Sequence, residues 1–110
     1  MEKILEQTLL YDFYGELLTE HQKEIYEDVV LNDYSFTEVA QERGISRQGV
    51  HDLIKRCNKI LQDYEDKLHL VEKFLSIKGQ IQDIECTIRS SERVDKEQLT
   101  GKLEEILRQL

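Results

Sequence analysis

The chain is 110 residues long, the size of one domain and too short for two full hydrophobic cores. It contains no proline and few glycines, and Glu, Lys, Leu and Gln, which lose little freedom in a helix, dominate it. A formal net charge of −8 excludes attraction of the whole molecule to a polyanion. Any nucleic-acid contact therefore needs a local basic face, whereas a basic protein partner suits the chain as it stands.

The first predicted helix covers residues 2–14. Its apolar residues Ile4, Leu5, Leu9, Leu10, Tyr11, Phe13 and Tyr14 are too many for one face, so it is expected to be largely buried and to end near Gly15. Thr19 then stands three residues ahead of Gln22, the spacing of a capping box, and predicts a second helix from Glu20 to about Leu31. That helix should bury Ile25, Val29 and either Tyr26 or Val30. Asn32, Asp33 and Tyr34 form a break, after which Ser35 or Thr37 starts a short third helix, about residues 36–43.

Gly44 ends the third helix, since glycine accepts the left-handed conformation of a tight exit. Ser46 caps the fourth. Val50, Leu53, Ile54, Cys57, Ile60, Leu61 and Tyr64 keep a helical period to about residue 66. Beyond that the pattern changes. Leu70, Phe74, Ile77, Ile81, Ile84 and Ile88 step by four and three, a heptad seam, and Leu99, Leu103, Ile106 and Leu110 repeat it after the polar stretch SSERVDKE. The two seams can pair with each other, with the core or with a second subunit. The expected division is a helical domain over residues 1–68 and a helical tail over residues 69–110.

Residues 36–54, FTEVAQERGISRQGVHDLI, carry the strongest motif, a helix-turn-helix. Ala40 is small where the two helices cross. Gly44 makes the turn. Ile45, Val50 and Leu53 seal the second helix onto the first, and Val39 points back into the core. Ser46 would aim the helix N-terminus outward, where a phosphate could sit. Arg47 and Gln48 are suited to base edges in a major groove, and Lys55 and Arg56 to phosphates, with His51 on the same face. The plainer reading makes these the solvated side of an amphipathic helix, with Arg47 paired to a nearby glutamate. Asp52 in that face would repel phosphate, and from Thr19 to Lys67 there are seven Lys or Arg against eleven Asp or Glu.

The sequence offers no sign of catalysis, metal or cofactor. His21, His51 and His69 fall in different segments, no Gly-rich phosphate loop is present, and Ser46 has no adjacent base. Cys57 and Cys86 make no metal-type cluster and are expected to be reduced, with Cys57 a packed thiol. No apolar run approaches the ~18 residues of a membrane span, nor the roughly 7–15 of a secretory signal. The expectation is a cytoplasmic protein that does not insert into membranes.

The segment LLYDFYGELLTEHQ (residues 9–22), followed by SFTEVAQERGISRQGVHDLIKRCNKILQDYEDKL (residues 35–68), resembles the YlxM-type helix-turn-helix family of Gram-positive bacteria. The likeness covers roughly residues 4–76. The helix-turn-helix is similar to the last domain of bacterial sigma factors as well, but that domain requires neither the helix ahead of Thr19 nor the tail after Leu70. The expected fold is thus all-α, a sigma-factor-like helical bundle without a wing, extended by C-terminal heptad helices. The family is typically encoded beside the GTPase of the signal recognition particle. The resemblance implies a non-enzymatic regulatory role in that pathway, with the particle's GTPase or its RNA as partner. The alternative is a sequence-specific regulator bound to double-stranded DNA, and the tail allows a homodimer through the C-terminal helices. Two positions depart from expectation: Gly49, where alanine would suit the recognition helix better, and His69, where a glycine break would be natural.

Overall fold

A computed structural model describes residues 3–110, with side chains from Leu5 onward. The side chain of Ile4 lies outside the described residues. Six α-helices occur among them, with no strand: α1 (Lys3–Tyr14), α2 (Glu20–Tyr26), α3 (Phe36–Arg43), α4 (Arg47–Leu68), α5 (Leu70–Ser90) and α6 (Lys96–Gln109). The fold is all-α. None of the described helices is long and apolar enough to cross a membrane. The chain divides into two compact units, Met1–His69 and Leu70–Leu110.

In the first unit α4 is the spine, packed by α1, α2 and α3. Ile25, Tyr26, Val39, Val50, Cys57 and Leu61 are fully enclosed, and Ile54 nearly so. Capping chemistry sets the helix starts. Thr19 Oγ1 accepts from Gln22 N while the Gln22 side chain accepts from Thr19 N, and Ser35 and Glu38 repeat that reciprocal pair at α3. Helix α1 is one-sided rather than covered all round. Leu10, Tyr11 and Tyr14 are buried, but Leu5 and Phe13 are exposed, because among the described residues α1 packs mainly toward α4 and the end of α2.

The aromatic residues ahead of Gly15 fill the corner between helices. Tyr11 stacks on Tyr26 at 5.3 Å and Tyr14 on Tyr64 at 6.0 Å. Their hydroxyls donate to Glu27 and Glu65 respectively, each at 2.6 Å. Gly15 is needed here, since a Cβ would stand 2.8 Å from the Tyr11 ring.

Helix α2 stops earlier as an α-helix than the sequence predicts. From Glu27 to Leu31 the chain widens into a π turn, closed by Asn32 N donating to Glu27 O at 2.9 Å. Glu27 is held by Tyr11, while Asp28 accepts from Arg43 at 2.9 Å. Adjacent carboxylates thus answer to different neighbours. Ile25 and Tyr26 are the enclosed residues; Val29 and Val30 are half-buried. Asp33 completes the break in the left-handed region, at φ 58°.

The second unit is a hairpin of α5 and α6, joined through residues 91–95 and fastened by a reciprocal amide pair between Gln80 and Gln109, 2.9 Å in each direction. Asp95 caps α6 by accepting from Glu97 N and Gln98 N. The expected seams are only partly closed. Ile84 and Ile106 are buried and Ile77 and Leu99 half-buried, but Phe74, Ile81, Ile88, Leu103 and Leu110 are exposed. Helix α6 docks on the shoulder of the α5 stripe, not on its crest.

Candidate functional site

The helix-turn-helix is built from α3, a three-residue turn and the first half of α4. Gly44 exits α3 at φ 69°, in the left-handed region, and its N–H donates back to Ala40 O. Ile45 N donates to the same carbonyl at 3.1 Å, which closes the turn. Val39 and Val50 are fully enclosed and Ala40 is buried where α3 meets α4. Ile45 and Leu53, expected to seal the pair, are only half-buried. Ile54, one residue on, takes the more enclosed position.

Ser46 caps α4. Its Oγ accepts from Gly49 N at 2.9 Å. A Cβ at position 49 would stand 3.0 Å from that oxygen, so glycine lets the cap close without crowding, which accounts for the departure from alanine there. His69, the other departure, ends α4 in the left-handed region at φ 56°, with its N–H donating to Glu65 O at 2.8 Å. It takes the conformation expected of a glycine.

Arg47, Gln48, His51, Asp52, Lys55 and Arg56 are all exposed, so the structure brings the predicted face together. They fall in two ridges at i, i+4, i+8 spacing. Arg47, His51 and Lys55 form one. Gln48, Asp52 and Arg56 form the other, with the acid at its centre. Gln48 Nε2 donates to Asp52 Oδ1 at 3.0 Å, and His51 Nδ1 lies 3.7 Å from the same oxygen. Among the described residues Arg47, Lys55 and Arg56 have no ion pair, so the expected pairing of Arg47 with a glutamate does not form.

Beside the first ridge opens a cleft of about 780 Å³ between the π turn and α4. Phe36, Val29, Val30 and Ile54 line its apolar part, and Gln7, Asp33, His51, Lys55 and Asn58 its polar part. The Phe36 ring meets the His51 ring edge-on at 5.7 Å. The sequence pattern places Phe36 at a helix start and does not single out Asn58. The one available signal is a polar residue lying next to Cys57 and Leu61 on a buried stripe. Asn58 Oδ1 accepts from Tyr26 Oη at 2.7 Å and from Gln7 Nε2 at 3.2 Å, tying α2 and α1 to α4.

The cysteines are both free thiols. Cys57 is enclosed, and burial pushes it up to about 11, with the nearby Arg56 opposing weakly. Cys86 is exposed on α5.

The helix-turn-helix formed by α3 and α4 agrees with a matching family model, which spans residues 1–105 and is described as "UPF0122: Putative helix-turn-helix protein, YlxM / p13 like". The chain belongs to the UPF0122 family. A UPF0122 protein of Acetivibrio thermocellus is 42% identical over 114 residues, covering 100% of this chain and 97% of its own length. A UPF0122 protein of Caldanaerobacter subterraneus is 50% identical over 86 residues, 77% of this chain and 74% of the relative. A Streptococcus pneumoniae relative in UPF0122 is 45% identical over 83 residues, 76% of this chain and 74% of its own.

Proposed function

We propose that the chain is a non-enzymatic accessory protein of the signal recognition particle pathway, in the cytoplasm, and that its helix-turn-helix unit is an acidic docking module for the particle's GTPase. The observation that carries this reading is charge. Residues 1–69 hold eight Lys or Arg against fifteen Asp or Glu, and Asp52 occupies the face that would otherwise meet phosphate. A GTPase that must hold an RNA offers basic surface, and complementary fields raise the association rate and fix the docking register. The absence of a catalytic role is supported by Ser46, whose Oγ is committed to the helix cap, and by Cys57, whose thiol is enclosed.

The test compares, in one buffer at low and moderate salt, binding to the purified GTPase, to the particle's RNA and to a pool of duplex DNA. The expected result is GTPase binding that weakens as salt rises. No GTPase binding at low salt removes the proposal.

One observation favours sequence-specific DNA regulation as a second reading. The ridge Arg47–His51–Lys55 lies directly behind the N-terminus capped by Ser46, with no ion pair on Arg47 or Lys55 among the described residues. In that case the duplex pool is retained, and Arg47→Ala lowers discrimination by about 1–3 kcal/mol for each base edge that the guanidinium reads.

A further inference from the structure

We infer that two copies of this chain associate through the C-terminal hairpin, apolar face to apolar face, as a four-helix bundle. At about 100° per residue, Phe74, Ile81 and Ile88 fall within about 40° of one another on α5. Leu103 and Leu107 fall within about 40° on α6, and Leu110 follows directly after its end. Ile77 and Ile84 turn from the α5 stripe toward α6, and Leu99 and Ile106 turn from the α6 stripe toward α5. Because the helices are antiparallel, both stripes swing to the same side of the hairpin. The opposite side carries a groove lined by Ile84 and bordered by Gln80, Asp83, Lys102 and Glu105.

The six stripe residues are 40% to 76% exposed. They leave on the order of 600 Å² of hydrocarbon in one patch, the upper end of what a monomer keeps bare. With its rim that patch approaches the ~800 Å² per partner of a stable pair. Against it, the only hydrophobic side chains of this unit that are buried, among the described residues, are Val71, Ile84 and Ile106. A two-helix hairpin has too little core for such a face to stay open.

Charge selects a second copy as the occupant. Residues 70–110 hold seven Lys or Arg and eight Asp or Glu, so two hairpins meet almost without net repulsion. Two copies of the unit over residues 1–69, with eight basic against fifteen acidic side chains each, repel one another. A two-fold axis lets one self-complementary face serve both partners, and heptad spacing on both helices suits knobs-into-holes packing.

Sedimentation velocity on the full chain tests this. The expected mass is twice the 13.1 kDa of one chain in the micromolar range. Ile81→Glu combined with Leu107→Glu should return one chain's mass with helical circular dichroism retained, while Gln82→Glu, on an exposed polar position, should leave the mass doubled. The unsubstituted chain supplies a check that no folding defect can confuse. Hydrogen exchange of α5 and α6 amides should slow as protein concentration rises, while amides of the first unit stay unchanged. A single-chain mass at every concentration, a doubled mass that survives both substitutions, or exchange in α5 and α6 indifferent to concentration would each overturn the inference. None of these outcomes depends on whether the GTPase binds.

Discussion

The Gln48 amide donates to the Asp52 carboxylate one turn further along α4, so the side chain best suited to reading an adenine edge is held by the only acid between Arg47 and Arg56. The His51 imidazole lies against the same oxygen. Were this face to meet a duplex, Asp52 would oppose the contact twice, by repelling phosphate and by occupying the Gln48 amide.

Asp52→Ala should release both. Removing one charge near a phosphate in water is worth about 1 kcal/mol, roughly a fivefold gain in affinity for a nonspecific duplex at low salt. The gain should shrink as salt screens it. Fluorescence anisotropy with a labelled duplex reads the change directly. Equal affinity of the two proteins would mean that this face does not approach DNA even when its acid is removed.

The turn of the motif makes a separable demand. Nothing lies within 4 Å of a Cβ built on Gly44, so a side chain there has room, and only its φ of 69° is unfavourable. Gly44→Ala should destabilise by about 1–2 kcal/mol, and Gly44→Asn by less, since asparagine tolerates the left-handed region. Ser46→Ala removes a cap of a different kind and should cost about 1 kcal/mol. Urea denaturation of the three variants separates backbone strain from a missing hydrogen bond. Equal losses for alanine and asparagine at position 44 would argue against strain as the cause.

Local chemistry makes much of this legible in the sequence. Thr19 with Gln22, Gly44 and Ser46 announce themselves because a cap or a left-handed exit needs only nearby residues. The six exposed residues of α4 follow from one helical period. What stays hidden depends on partners far apart in sequence. No spacing within Glu27–Leu31 encodes its π turn, and the partners of its first two carboxylates, Tyr11 and Arg43, lie elsewhere in the chain. The cleft beside Phe36 arises where that turn faces α4. The seam after Leu70 shows the other limit: heptad periodicity identifies which residues seek cover but not which surface supplies it.

Asn58 is the joint at which three helices meet, and its two donors differ in what they lose when it is removed. Tyr26 is fully enclosed, so Asn58→Ala strands a phenol O–H where water does not reach. Tyr26→Phe instead leaves Asn58, half-buried, with Gln7 still donating to it. A stranded buried donor costs about 1–3 kcal/mol, whereas removing an ordinary hydrogen bond costs about 0.5–1.5 kcal/mol. Asn58→Ala should therefore be the more destabilising of the two in thermal or urea unfolding. The reverse order would mean that the phenol finds another acceptor.

Alkaline pH should destabilise the first unit. Burial raises the Cys57 thiol from 9.0 to about 11, and it raises the Tyr11 and Tyr26 phenols well above their ordinary 10.0, with the Glu27 carboxylate adding to the shift at Tyr11. All three are acids that the fold keeps protonated. Their stabilisation is complete below pH 9, where folded and unfolded chains both hold the protons. From pH 9 upward the unfolded chain releases the thiol proton first and the phenol protons next, while the folded chain retains them, so stability falls as pH rises. The Cys57 part of that loss should be complete by about pH 11, and the phenol part should continue beyond it. Urea midpoints measured from pH 7 to pH 11 should be level at first and then decline, and in Cys57→Ala the decline should begin about one pH unit later, at the phenol value. A thiol reagent at neutral pH should label exposed Cys86 promptly and Cys57 only after unfolding. A midpoint that stays level through pH 11, or prompt labelling of both thiols, would show that the corner built by Tyr11, Tyr26 and Cys57 is open to water.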